Sequence, residues 1–267
     1  MNTAERILVV GPSWVGDMMM AQSLFILLKQ YKPNCIIDVL APAWSLPLIA
    51  HMPQVSDSIA SPFKHGQASL RQRYILGKSL RGHNYDQAII LPNSFKSALV
   101  PYWAHIPRRT GFIGEMRYGL VNDARKLDRE ALPKTVMRFA SLALPAEQPL
   151  NINIPMPHLE TDDKSTFSSL NALNLTAPTT PVLVLCPGAE YGPAKQWPAR
   201  HFAKLANHYL DLGWQVWLLG SAKDDAISAE INLSTAGRCH NLAGKTELGQ
   251  VIDLMSIASA IVSNDSG

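Results

Sequence analysis

Short apolar runs alternate along this chain with longer segments whose apolar positions recur at helical spacing. Residues 6–10 read as a buried strand of Ile, Leu and Val, and residues 17–31 as a helix apolar nearly all round. A second strand is expected over 36–40 and a third over 87–91. Residues 67–81 predict a polar helix that turns Leu70, Tyr74 and Leu80 inward, and further helices are expected over 94–103 and 133–144, the latter with proline in its first turn. Residues 145–181 break the pattern with prolines and many Ser, Thr and Asn, the composition of a linker with room for a short helix. Alternation then restarts, with strands over 182–186, 215–219 and 260–263 and helices over 199–212, 224–233 and 247–256.

Strand–helix alternation on both sides of a linker predicts an α/β protein with two parallel-sheet, doubly wound domains. The boundaries expected are 1–150 for the first domain, 151–180 for the linker and 181–267 for the second. A doubly wound domain usually has about five or six strands. Fewer are visible after the linker, and the chain stops in Asn264-Asp265-Ser266-Gly267, so the second domain is expected to be truncated.

Composition narrows the class. At 47% hydrophobic and 17% charged, the 267 residues read as well-cored domains. No apolar run reaches the roughly 18 residues that a membrane span needs, and the N-terminus lacks a signal-peptide pattern, which together predict a cytoplasmic protein. Cys35, Cys186 and Cys239 are scattered and show no metal-ligand spacing, so neither a disulfide framework nor a metal site is expected.

The net charge of +3 hides an asymmetry. Residues 1–150 hold 17 Lys and Arg against 10 Asp and Glu, whereas residues 151–267 hold 7 against 11. A basic first half suits an anionic partner such as nucleic acid, acidic headgroups or a phosphorylated sugar. The aromatic–basic motifs of RNA-binding modules are missing, which weighs against nucleic acid.

Three loops at strand ends carry the candidate chemistry. The first, Gly11-Pro12-Ser13-Trp14-Val15-Gly16-Asp17, matches neither the dinucleotide fingerprint nor the phosphate-binding P-loop. Asp17 stands where those motifs put a phosphate, and a carboxylate there would repel one. It suits a general base for a hydroxyl, and a helix cap is the other reading. The second loop runs from Pro187 to Pro198 and places Lys195 just before a helix, where a lysine can clamp a pyrophosphate or simply be solvated. The third is the Asn264–Gly267 turn, whose small polar groups can bond a diphosphate.

These loops carry a resemblance. The stretches GPSWVGDMMM (11–20), LPNSFKSALVP (91–101), RTG (109–111), GEMRYGLVND (114–123), CPGAEYGPAKQWP (186–198), LGSAKD (219–224), NLAG (241–244) and NDSG (264–267) resemble, in this order, the heptosyltransferases of the bacterial lipopolysaccharide core, glycosyltransferase family 9. The blocks at 91–101 and 114–123 match its type II acceptor class. The resemblance implies a GT-B fold, two Rossmann-like domains facing a cleft. It implies ADP-L-glycero-D-manno-heptose as donor, no cofactor, and inverting transfer onto the first heptose of the Kdo-lipid A inner core, at the cytoplasmic face of the inner membrane. Residue by residue, it makes Asp17 the catalytic base and Lys195 the group that stabilises the leaving phosphate. Ser13, Gly16, Gly188, Ala189, Glu190, Asp265, Ser266 and Gly267 become nucleotide-sugar contacts. Lys96, Arg109 and Arg117 are expected at acceptor anions from charge and motif position. The family continues the last motif with Leu-Met-His, which this chain lacks. Two rival readings stay open here: a heptosyltransferase of another acceptor type (I or III), and a nucleotide-sugar-binding module without catalysis.

Overall fold

The computed structural model describes residues 4–63, 67–146, 148, 153–189 and 193–264. The chain divides into two compact units, residues 1–160 and 161–267. The division falls inside the 151–180 segment.

The first unit opens with β1 (Arg6–Val10), α1 (Val15–Tyr31), β2 (Ile36–Pro42), α2 (Leu46–Ala50) and β3 (Asp57–Ser61). It continues with α3 (Leu70–Ser79), β4 (Gln87–Ile90), α4 (Leu99–Trp103), β5 (Arg108–Phe112), β6 (Asp123–Arg125) and α5 (Thr135–Ser141). Its six strands are all parallel, in the order β3-β2-β1-β4-β5-β6. The central strands are apolar throughout because helices cover both faces of a parallel sheet; Ile7, Leu8, Val9, Ile37, Val39, Ala88, Ile89 and Ile90 have no exposed surface. The outer strands β3 and β6 are partly exposed and polar.

Helix α1 is buried on most sides, as its all-round apolarity predicts, but it also buries Gln22 and Ser23 completely. Both are satisfied by the extended segment that ends the first unit. Gln22 accepts from the His158 N–H at 2.8 Å and donates to the His158 carbonyl at 2.5 Å, while Ser23 donates to the Pro155 carbonyl at 2.7 Å.

Helix α3 is rotated from its expected setting. Leu80 just beyond it is buried, but Leu70 is 54% and Tyr74 45% exposed. The face turned inward carries Arg73, Leu76 and Gly77 instead. Gly77 explains the rotation: a Cβ there would lie 2.7 Å from Trp103 Cβ and 2.9 Å from the Val100 carbonyl, so only glycine lets α3 settle this closely on α4.

The second unit comprises α6 (Asp163–Ala172), β7 (Val182–Cys186), α7 (Ala199–Asp211), β8 (Gln215–Leu218), α8 (Asp225–Ser234), β9 (His240–Asn241), α9 (Leu248–Ser256) and β10 (Ala260–Ser263). Its strands are again parallel, in the order β10-β7-β8-β9. Helix α6 belongs to this unit: Ser165 and Ser169 both donate to the buried Asp253 carboxylate on α9, at 2.7 and 2.6 Å. Asp162 caps α6 by accepting from the Ser165 N–H.

Candidate active site

In an open parallel sheet, ligands bind beyond the carboxyl ends of the strands where the chain switches direction along the sheet. In the first unit that point lies between β1 and β4, flanked by the loops at 11–14 and 91–94. Gly11 seats the first loop. Its N–H donates to the Leu40 carbonyl at 2.9 Å, and a Cβ would come within 2.6 Å of Met18 Cε. Helix α1 then starts from Trp14 in an extended conformation, with no side-chain cap. Ser13 lies exposed on the loop and Gly16 half-buried in the first helical turn.

Asp17 is the third residue of α1 and is half-buried. Among the described residues its carboxylate has no hydrogen-bond or ion-pair partner, so the helix-cap reading finds no bond to support it. Burial pushes its carboxyl above the ordinary value of 3.8. A half-buried acid without a fixed partner, at the mouth of a switch point, is chemically set to take a proton from a bound hydroxyl.

The three basic residues expected at acceptor anions fare differently. Lys96 is half-buried beside the loop that follows β4. Arg117 is only 2% exposed, and its guanidinium is spent inward. It donates to the Phe112 carbonyl at 2.6 Å, the Pro92 carbonyl at 2.7 Å, Asn93 Oδ1 at 3.1 Å and Ser97 Oγ at 3.2 Å. Arg109 likewise donates to the carbonyls of Ile106, Leu120 and Gly119 and packs on the Tyr102 ring. In this structure both guanidiniums brace the fold from within, their forked donors saturating loop carbonyls. Arg73 braces the same loop from α3, donating to the Lys96 carbonyl at 3.1 Å. Glu115, held at φ 40°, accepts from the Phe95 N–H at 2.8 Å and ties in the loop after β5.

In the second unit the switch point lies between β7 and β10. Gly188 follows β7 at a place where a Cβ would collide with the Asp224 carboxylate. Asp224 is itself fixed, accepting from the Ser221 N–H and hydroxyl, both at 2.8 Å. Burial, with Asp224 nearby, pushes the Cys186 thiol up to about 11, so it stays protonated and unreactive at neutral pH. Ala189 is half-buried; Lys195 is exposed in a short 3-10 turn (Pro193–Lys195), four residues ahead of α7. Helix α7 starts after Pro198, which offers no side-chain cap to its N-terminus. Glu190, Asp265, Ser266 and Gly267 lie outside the described residues.

Asn264 holds this mouth together and was not among the expected site residues. Its amide donates to the carbonyls of Pro187 (2.8 Å) and Gly188 (3.1 Å), and its carbonyl accepts from the Trp197 N–H at 2.9 Å. One side chain at the end of β10 thus sets the loop after β7 and the start of α7. Its strand-end position is the available signal in the sequence. Asn264→Ala is expected to cost about 2 kcal/mol by leaving these groups unpaired, measurable by urea denaturation. Among the described residues, no three His, Cys, Asp or Glu side chains cluster so as to hold a metal ion.

Two switch-point mouths, one with an acid and one with a cation ahead of an uncapped helix, can be set beside known proteins. Residues 73–267 match the model of glycosyltransferase family 9 (heptosyltransferase). The chain is 48% identical to lipopolysaccharide heptosyltransferase 2 of Escherichia coli and 47% identical to lipooligosaccharide heptosyltransferase 2 of Haemophilus ducreyi. Each match covers 98% of this chain and 78% of the relative. The solved structure of the Escherichia coli ADP-heptose lipopolysaccharide heptosyltransferase II superposes with a TM-score of 0.88 at 47% identity, over 98% of this chain and 79% of that one. The two doubly wound units therefore form a GT-B glycosyltransferase, and the chain belongs to glycosyltransferase family 9, the heptosyltransferases.

Proposed function

We propose that the chain transfers L-glycero-D-manno-heptose from its ADP-activated form to the first heptose of the Kdo-lipid A inner core, inverting the donor's anomeric centre. The observation that carries this reading is Asp17, a half-buried carboxylate with no partner among the described residues, at the switch point of a heptosyltransferase's first unit. Asp17 takes the proton of the acceptor hydroxyl as its oxygen bonds the anomeric carbon. The bond from that carbon to the ADP phosphate oxygen breaks through an oxocarbenium-like transition state. Lys195 and the N-terminus of α7 stabilise the negative charge on the departing ADP. Gly188 and Ala189 line the donor side, Asp265, Ser266 and Gly267 are kept as donor contacts from the family motif, and Lys96 is kept for acceptor anions. Support for the substrates comes from the names of the two relatives and the solved structure, and the basic first half suits an anionic lipid acceptor at the cytoplasmic face of the inner membrane.

The test is a transfer assay with ADP-heptose on acceptors bearing no heptose or one heptose. Transfer only to the one-heptose acceptor supports the reading, and transfer only to the other moves the chain to another acceptor class. In the same assay Lys195→Ala is expected to lower kcat about 10- to 100-fold, less than a fully enclosed oxyanion donor would, because Lys195 is exposed. Lys195→Arg should recover part of the loss.

A further inference from the structure

The outward face of α3 has no role in the reaction above, yet its composition is the reverse of an ordinary surface helix. Inward it buries Arg73, whose Nε donates to the Ala68 carbonyl at 2.7 Å and whose guanidinium lies 3.9 Å from the centre of the Phe63 ring. Outward it presents Leu70 (54% exposed), Ile75 (55%) and Tyr74 (45%), whose ring also meets that of Trp103 edge-on at 5.6 Å. Single exposed apolar residues are normal, but three on one face of a ten-residue helix form a patch. Arg71 and Lys78 are exposed among them. No Asp or Glu occurs between Asp57 and Asp86, so this face combines apolar side chains with uncompensated positive charge.

We propose that this face of α3 docks the protein onto the surface of a bilayer containing acidic lipids. Leu70, Tyr74 and Ile75 enter the headgroup boundary while Arg71 and Lys78 pair with lipid phosphates. An apolar face flanked by cations is the combination that holds helices in a membrane interface, where each basic residue adds to the attraction of acidic headgroups. A second copy of the chain is the poorer occupant, since a two-fold contact through this face would set Arg71 and Lys78 against their own copies. The inference rests on the proposed lipid-borne acceptor, and its test separates the two.

Flotation of the full chain with phosphatidylcholine vesicles, with and without phosphatidylglycerol, reads the docking directly. The wild type is expected to float with the acidic vesicles and to be released by salt. Leu70→Gln with Ile75→Gln, and separately Arg71→Gln with Lys78→Gln, should each weaken binding roughly tenfold or more. Because these side chains are exposed, both variants should keep the wild-type melting temperature and the wild-type rate on a lipid-free acceptor fragment. Absence of vesicle binding by the wild type would overturn the proposal. So would wild-type binding by both variants, or a wild-type dimer that the apolar variant converts to monomer. Failure of the wild type to glycosylate even the lipid-free fragment would instead count against the proposed reaction.

Discussion

Asp17→Asn is expected to lower kcat/KM by about 10²- to 10⁴-fold, the range that a positioned general base contributes, while ADP-heptose affinity stays within about twofold of wild type, the allowance for loss of one charge beside the site. The same substitution should leave the fold as stable as before or more so. Burial makes the folded state hold the Asp17 proton more tightly than the unfolded chain does. The native state therefore loses stability as pH rises from the ordinary 3.8 through the raised value, and above that window the penalty is complete. Asparagine removes the charge and with it the penalty, so the melting temperature at neutral pH should not fall. The base must be ionised to work, so the acid limb of the wild-type kcat/KM profile should lie above 3.8 and vanish in the variant's residual activity. A variant that keeps wild-type turnover would show that Asp17 is not the base. One that loses activity together with stability would make it a structural residue.

Arg117→Met is expected to destabilise the first unit by about 3 kcal/mol, because it keeps the side chain's bulk but strips buried carbonyls of their donor. The Phe112 and Pro92 carbonyls and Asn93 Oδ1 would each lose a bond of 2.6–3.1 Å. In thermal melts this corresponds to a drop of roughly 6–12 °C for a protein of this size. The effect on catalysis should be indirect, felt as looser placement of the loop at 91–97 and a higher KM for the acceptor. If instead Arg117→Met left the melting temperature unchanged while acceptor affinity collapsed, the guanidinium would be an acceptor contact after all. Arg117→Lys separates charge from geometry, since one ammonium cannot reproduce the fork that spans Pro92, Asn93 and Phe112.

The two variants probe different levels of the same architecture. The loop after β1 comes with its chemistry on the surface of the sequence: a glycine lying against Met18 of α1, then a carboxylate in the first helical turn. The loop after β4 carries no such signal. Its shape depends on Arg117 from beyond β5 and Arg73 from α3, residues 24 and 23 positions away from Asn93 and Lys96. Local pattern cannot report a brace whose partners meet only after the sheet has formed.

The sequence by itself determined the α/β class, the central strands β1, β2, β4, β7 and β8, and the long helices α1 and α7. Those strands lie within their sheets as short apolar runs, and burial demands that composition wherever they pair. The same reading misses α2, β3, β5, β6 and β9. Strands such as Asp57–Ser61 and Arg108–Phe112 are polar or half-exposed and owe their conformation to the neighbour they pair with. Tertiary packing alone decided which face of α3 turns inward, since the deciding contact is the missing Cβ of Gly77 against α4. It also turned the guanidiniums of Arg109 and Arg117 to loop carbonyls, and tied Asn264 to Pro187, 77 residues away. In each case a hydrogen-bonding or steric demand arises only when distant segments meet, and a pattern of neighbours along the chain does not contain it.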